Sequence, residues 1–270
     1  MSDERDLEAV RQDIDAIDAQ IQSLLADRAR CAQRVAQIKL DDVQAARERG
    51  EPDSEVEFYR PEREAQVLRR IIERDSGPLE GPAVAHIFRE IMSACLALER
   101  PLQVAYLGPE GTFTQAAALK HFGHAAICIP QVTIDTVFAE VESGNCNYGI
   151  VPVENSTEGM VSHTLDSFLD SPLKIAGEVE MRISHHLLVA PGTAPGDVIR
   201  ICAHQQALAQ CRNWLDIHWP RVEREAVSSN GEAARIAAST PGVAAVAGDM
   251  AAEAYALERL AQHIEDQPDN

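Results

Sequence analysis

Residues 10–40, VRQDIDAIDAQIQSLLADRARCAQRVAQIKL, decide how the opening part of the chain folds. With Leu7 just upstream, the residues Val10, Ile14, Ile17, Ile21, Leu24, Cys31, Val35 and Ile38 recur at alternating three- and four-residue steps, the period of an apolar seam along one α-helix. The spacing predicts a helix from about Glu4 to Leu40, roughly 54 Å long at 1.5 Å per residue. The rest of one small helical domain is too short to cover such a rod, so the helix is expected to cross into a second copy of the chain. Arg28 stands where the seam calls for another apolar residue. An unpaired buried charge costs several kcal/mol or more, so Arg28 is expected to face a carboxylate side chain or an anionic ligand. Lys39, three helical turns on, projects within roughly 20° of the same direction, and the two cations could clamp one small anion. Arg11 lies roughly 25 Å back along the axis and about 100° around it, and could enter the same pocket only from an antiparallel partner helix. The plainer alternative pairs Arg11, Arg28 and Lys39 with local acids such as Asp15, Asp18 or Asp27 on a solvated face, and Arg28's place in the seam weighs against it.

Outward from this helix, residues 41–57 are polar and acidic and read as a loop or a frayed helical extension. Pro61 suits the first turn of a second helix ending near Gly77, and Pro82 opens a third that stops before Pro101. The second helix carries Arg63 and Glu64. On the third, Phe88, Cys95 and Glu99 share a face, with Glu99 where an apolar residue is expected. Past Arg100-Pro101 the character changes: VAYLG, AICI, YGIVPV, HHLLVA, IRIC and VAAVAG are short apolar runs separated by helical patterns and Gly/Pro turns. That alternation predicts an α/β fold with at least some parallel strands. An all-α domain over residues 1–100 and an α/β domain over 102–270 are therefore expected, with Pro101 at the joint.

Composition narrows the function. Of the 270 residues, 43 are acidic and 24 are Lys or Arg, a formal charge of −19, which repels phosphate backbones and anionic membranes alike. Neither nucleic acid nor a membrane is an expected partner. Without a signal-like segment or an apolar run of spanning length, a cytoplasmic location is expected. The six cysteines are spread singly, outside any zinc-ligand spacing, and read as reduced, mostly buried thiols, with no metal site expected of them.

In the α/β part, VAYLGPEGTFTQAAALKHFG reads as strand, glycine turn and helix, with Thr112 or Thr114 as possible cap. GIVPVENSTEG puts Glu154, Asn155, Ser156 and Thr157 just after another strand, where open α/β sheets bind ligands. IRICAHQQALAQC leads into a helix with Gln206 and Gln210 four apart on one face, and VSSNGEAARIAA offers Ser228, Ser229 and Asn230 before another helix. Any one such turn is more simply a helix cap, whereas four in succession point to a site. His185-His186 reads as packing or a strand edge, and His204 as slightly more structural than functional.

The residues of the first part resemble the helical chorismate mutases: the stretch from Val10 to Leu40 is similar to that family's first helix, and FYRPEREAQVL and IFREIMSACLALE to its second and third. The resemblance implies that Arg28 and Lys39 bind the substrate carboxylate and ether oxygen and that Arg11 reaches in from the other subunit of a homodimer formed through the first helix. It also places Arg63 and Glu64 at the family's arginine and hydroxyl-binding glutamate, and Glu99 beside the ether oxygen. Some members carry glutamine there, a permanent donor, and Arg60 stands where some carry an aspartate. A Claisen rearrangement suits these residue types, because it needs only a compact conformer of a dianion and stabilisation of charge on the ether oxygen, so no nucleophile, metal or cofactor is expected.

GPEGTFT, VPVENSTEG, HQQALAQC and the run from VAGDMAA to LAQHIED resemble prephenate dehydratase, and the whole is similar to the bifunctional enzymes of phenylalanine biosynthesis that fuse the two. This implies a two-lobed α/β domain resembling type II periplasmic binding proteins, with prephenate losing carbon dioxide and hydroxide to give phenylpyruvate. Asn155 and Gln210 match the polar positions used for substrate and catalysis, and Gln206, Ser156 and Thr112 would line the cleft. The family's Ser-His-Pro-Gln reads Ala203-His204-Gln205-Gln206. The chain reaches Asn270 before the family's Thr-Arg-Phe tripeptide and regulatory ACT domain, so a truncated form with an impaired dehydratase half is expected. A rival reading keeps the mutase and makes the α/β half a non-catalytic prephenate-binding module.

Overall fold

The computed structural model describes residues 2–50, 59–74, 77–155 and 159–267, with side chains from Leu7 onward. Contacts divide the chain into two units: Met1–Leu102 with Phe122–Ala126, and Gln103–His121 with Ile127–Asn270.

The first unit is helical. α1 (Ser2–Glu48) is one helix of 47 residues, about 70 Å long. It runs past Leu40, so the polar stretch after that residue begins as helix, with Val43, Ala45 and Ala46 half-buried; residues 51–57 of that stretch lie outside the described residues. α2 (Pro61–Glu73) and α3 (Gly81–Ala97) each carry proline in the first turn, where its missing N–H costs nothing and its φ is already helical. Leu68 and Ile71 of α2 pack with Ala85 of α3, flanked by Val67, Val84, Phe88 and Met92.

α1 packs on α3, but not through the seam read from the sequence. The side chains of α1 covered within the chain are Arg28, Ala29, Ala32, Ala36, Lys39, Val43, Ala45 and Ala46, a neighbouring stripe of mainly small residues that lets the helices approach closely. Leu7, Val10, Ile14, Ile17, Ile21, Leu24, Val35 and Ile38 all remain exposed.

The second unit holds two main sheets. β1 (Gln103–Leu107) is the centre of a parallel three-stranded sheet, between β2 (Ile127–Gln131) and β3 (Tyr148–Ile150). α4 (Phe113–Phe122) and α5 (Ile134–Glu142) follow the first two strands. A small hairpin, β4 (Glu154–Asn155) and β5 (Gly159–Met160), leads to α6 (Ser162–Asp170).

The second sheet has strand order β10-β6-β9-β7-β8, from β6 (His186–Val189), β7 (Arg200–His204), β8 (Glu223–Val227), β9 (Val243–Ala247) and β10 (Glu258–Ala261). β7 pairs in parallel with β8 and β9, while β6 is antiparallel to β9 and β10. α7 (Gln205–Gln210) and α8 (Arg212–His218) lie on one face, with Ala207, Cys211 and Leu215 packed on Leu187, Ile201 and Val246. α9 (Asn230–Ser239) and α10 (Asp249–Ala254) cover the other, with Ala233, Ala237 and Ala251 against Leu188, Cys202 and Ala245. Covering both faces explains why β6, β7 and β9 read as continuous apolar runs.

Candidate active sites

In the helical unit, Arg28 is half-buried where the seam and the small-residue stripe meet. Its Nη1 donates to the Ile91 carbonyl on α3 at 3.5 Å, a long contact to a neutral group. Asp27, one of the acids weighed as its partner, instead accepts from Arg30 at 2.6 Å. Farther along α1, Lys39 faces Glu99, which lies in the turn just past the end of α3. Burial holds the Glu99 carboxyl above the ordinary glutamate range, and the Lys39 ammonium works against that rise. Arg28 and Lys39 thus stand on one side of α1, Arg28 against α3 and Lys39 against the turn that follows it.

Arg11 is exposed, 3.7 Å from Glu8 Oε2 on its own helix. Arg63 is exposed on α2, while its neighbour Glu64 turns inward. The Glu64 carboxyl sits above its ordinary range through burial, opposed by the Arg89 guanidinium and a hydrogen bond from Tyr59. Arg89 Nε lies 3.7 Å from Glu64 Oε1, too far to hydrogen-bond, and is buried with no hydrogen-bond partner among the described residues. Tyr59 and Arg89 escape the sequence reading, since the turn preceding α2 and the flank of α3 reach Glu64 only in three dimensions.

In the α/β unit, the loop after β1 is stapled by its own side chains. Thr112 and Thr114 hydroxyls both lie against the Leu107 carbonyl, and Gly111 N–H donates to Gln115 Oε1 at 2.6 Å. The threonines therefore secure the loop to the strand it leaves, in place of the helix cap expected of them. This loop meets the starts of α9 and α10. A Cβ on Gly231 would run into the Glu110 carbonyl oxygen, and one on Gly248 would lie 2.7 Å from the Phe113 ring. Tyr255 Oη donates to the Glu110 carbonyl at 3.3 Å, so the two sheets of this unit close on each other here.

Several polar residues at the other turns prove to be caps. His204 caps α7, its Nδ1 accepting from Gln206 N–H at 3.3 Å, and its own N–H donates to Asn230 Oδ1. Ser229 caps α9 by accepting from Glu232 N–H. Gln206 and Gln210 part company: Gln206 is half-buried in the first turn of α7, whereas Gln210 is buried at its end. Asn155 stands on the separate β4–β5 hairpin, and Ser156 and Thr157 lie outside the described residues.

Gln210 Oε1 accepts from His185 Nε2 at 2.7 Å. The His185 ring meets Phe113 edge-on, with centroids 5.6 Å apart, and Phe113 adjoins Thr112. Gln210 and the Thr112 loop are thereby brought to the same junction. His185 and His186 are both fully buried, and burial holds both imidazoles below the ordinary histidine range. The signal for this was present in HHLLVA: consecutive residues at a strand covered on both faces must both be buried.

All six cysteines are free thiols, four of them buried. Among the described residues no three His, Cys, Asp or Glu side chains gather to hold a metal ion, and no helix is long and apolar enough to cross a membrane.

A helical unit with cations on a long first helix, followed by an α/β unit with polar groups between two sheets, is the plan of a two-part enzyme acting on small molecules. The chorismate mutase type II family matches residues 10–100, and the prephenate dehydratase family matches residues 104–270. The bifunctional chorismate mutase/prephenate dehydratase of Pseudomonas aeruginosa is 57% identical over 270 residues, covering 100% of this chain and 72% of that protein. The enzyme of the same description from Neisseria gonorrhoeae is 48% identical, covering 96% of this chain and 68% of that one. Among solved structures, a prephenate dehydratase from Arthrobacter aurescens in complex with L-Phe is 36% identical with a TM-score of 0.58, covering 63% of this chain and 57% of that one. The chain belongs to the bifunctional chorismate mutase/prephenate dehydratase family of phenylalanine biosynthesis, and both catalytic domains are present in it.

Proposed function

We propose that residues 1–100 rearrange chorismate to prephenate at a site built on Arg28, Lys39, Glu64 and Glu99, and that residues 102–270 convert prephenate to phenylpyruvate at a site including Asn155, Gln206, Gln210, Thr112 and Ser156. The observation that carries the mutase assignment is Lys39 facing a Glu99 whose carboxyl is raised by burial. Arg28 and Lys39 hold the dianion in its compact conformer, and protonated Glu99 donates to the ether oxygen as negative charge gathers there. The bound dianion raises the Glu99 pKa further, keeping the donor in place. Glu64 accepts from the substrate hydroxyl, and Arg63 lies beside it on α2.

Arg11 completes the site from a second copy, and the working form is a homodimer in the cytoplasm, joined along α1. Support comes from the apolar residues of α1, from Leu7 to Ile38, that the chain leaves exposed. Chorismate loss measured for the wild type and Lys39→Ala tests the assignment: a fall of about 10²–10³-fold is expected, and a wild-type rate removes Lys39 from the mechanism.

A further inference from the structure

We propose that His186 is a pH-sensitive latch: its neutral imidazole holds the segment 262–266 onto the five-stranded sheet through the His263 backbone N–H, and protonation of the ring releases that segment. His186 opens β6 and is fully buried, and its Nδ1 accepts from His263 N–H at 3.1 Å. A ring nitrogen that accepts carries no hydrogen, so the one ring hydrogen sits on Nε2. A second proton can go only to Nδ1, where it would meet the His263 N–H hydrogen head-on. The imidazolium and this hydrogen bond therefore exclude each other.

The groups around the ring keep it neutral while it is latched. Burial opposes its charge most, and the Arg259 guanidinium and the His263 ring, with centroids 5.1 Å apart, add to that opposition. His185, the preceding residue, and His186 disfavour charge on one another. Asp249 at the start of α10 acts the other way, with Oδ1 3.2 Å from Nε2. That oxygen is already taken by Arg259 Nε and Nη2 from β10, at 2.7 and 2.6 Å. Nε2 itself has no well-aligned hydrogen-bond partner among the described residues.

The latched segment ties several elements of the α/β unit together. His263 takes φ = 52°, a left-handed conformation that residues with side chains seldom adopt, so its contacts hold the chain there against its own preference. Next to it, Ile264 N–H donates to the His185 carbonyl at 2.9 Å, and Glu265 Oε2 accepts from His185 N–H at 2.9 Å. Asp266 N–H donates to the Gln210 carbonyl at 2.8 Å, and its carboxylate accepts from Asn213 and Trp214 N–H at the start of α8. Release at His263 loosens this strap between β6, α7 and α8. In the released form the ring reaches water and regains an ordinary histidine pKa of about 6.5. Opening therefore rises up to about tenfold for each pH unit from there down to the lower value of the latched ring.

The test reads ring state and amide exchange on the full chain. NMR of the chain labelled with ¹⁵N in histidine is expected to show the His186 ring at neutral pH with its hydrogen on Nε2 and a bare Nδ1, the signals being assigned by their loss in His186→Asn. Hydrogen exchange read by mass spectrometry, corrected for the intrinsic pH dependence of exchange, follows the strap. Protection of peptides spanning 260–266 should fall up to about tenfold per pH unit below about 6.5, while peptides over β9 keep theirs. His186→Asn, whose Oδ1 takes the place of Nδ1 and cannot titrate, should hold the strap with protection that is flat in pH. His186→Phe, which fills the space without an acceptor, should leave it open at neutral pH. A hydrogen on Nδ1 of the wild type at neutral pH, unchanged protection of 260–266 between about pH 7.5 and 5, a parallel loss over β9, or a wild-type slope in His186→Asn overturns the proposal. If either variant loses its folded circular-dichroism spectrum, the wild-type ring signals and exchange profile decide alone.

Discussion

Shortening the exposed isoleucines of α1 should split the proposed dimer and silence the mutase together. Ile17 is 54% and Ile21 49% exposed in the single chain, so about half of each side chain is left for a partner to cover. Full burial of such a side chain contributes about 1.5–3 kcal/mol, hence about 1 kcal/mol for the remaining half. A two-fold interface counts each substitution twice, so Ile17→Ala with Ile21→Ala should weaken the dimer by about 4 kcal/mol, or about a thousandfold in Kd. Alanine is a better helix former than isoleucine, so the loss is not one of helix. Sedimentation velocity over a dilution series, run alongside chorismate loss, is the assay. If Arg11 enters from the partner, specific activity falls with dilution as the dimer dissociates, and does so at higher concentration in the double variant. A wild type that sediments as a 29.5 kDa monomer with full mutase activity would refute the reasoning.

Further consequences concern single residues. Mutase kcat/KM should fall as pH rises through the raised Glu99 pKa, and Glu99→Gln should flatten that profile; an unchanged profile in the variant removes Glu99 as the donor. Gly231→Ala should lower the melting temperature of the α/β unit, since overpacking against the Glu110 carbonyl costs about 1–3 kcal/mol and outweighs the helical gain of about 1 kcal/mol; an equal or higher melting temperature would show that the sheets separate easily there. His185 and His186 are held below 6.5 when folded, so the unfolded chain binds more protons as the medium acidifies. Stability present above pH 6.5 is then lost as pH falls through that value toward the folded pKa values. Scanning calorimetry of His186→Gln should show a smaller drop than wild type between about pH 7.5 and 5.

The three- and four-residue steps of α1 and the prolines opening α2 and α3 were legible because each depends on neighbours along one helix. The α/β alternation was legible because β6, β7 and β9 are covered on both faces and read as apolar runs. What escaped depended on contacts distant in sequence. The seam does face outward, but that Ala32, Ala36 and Lys39 are the side the chain buries on itself follows from where α3 lies. The helix persists to Glu48 on a polar sequence whose half-buried Val43 and Ala46 extend that same stripe. Arg28 finds a backbone carbonyl, a partner that no side-chain pattern encodes. From the sequence His185 reads as packing or a strand edge, because its partners, Gln210 and Glu265, come from the end of α7 and from the segment after β10. The cap at Ser229 is legible from residue type alone, whereas His204 shows as a cap only through its Nδ1 accepting from Gln206 N–H.

The central claim is that two reactions run at two separate sites on one chain. It is tested most directly by following chorismate loss and prephenate formation for the wild type, Arg28→Ala and Gln210→Ala under identical conditions. The account predicts that the wild type and Gln210→Ala consume chorismate at the same rate and form prephenate, while Arg28→Ala is slowed about 10²-fold or more. No chorismate loss in the wild type, or an equal slowing in the two variants, would contradict it.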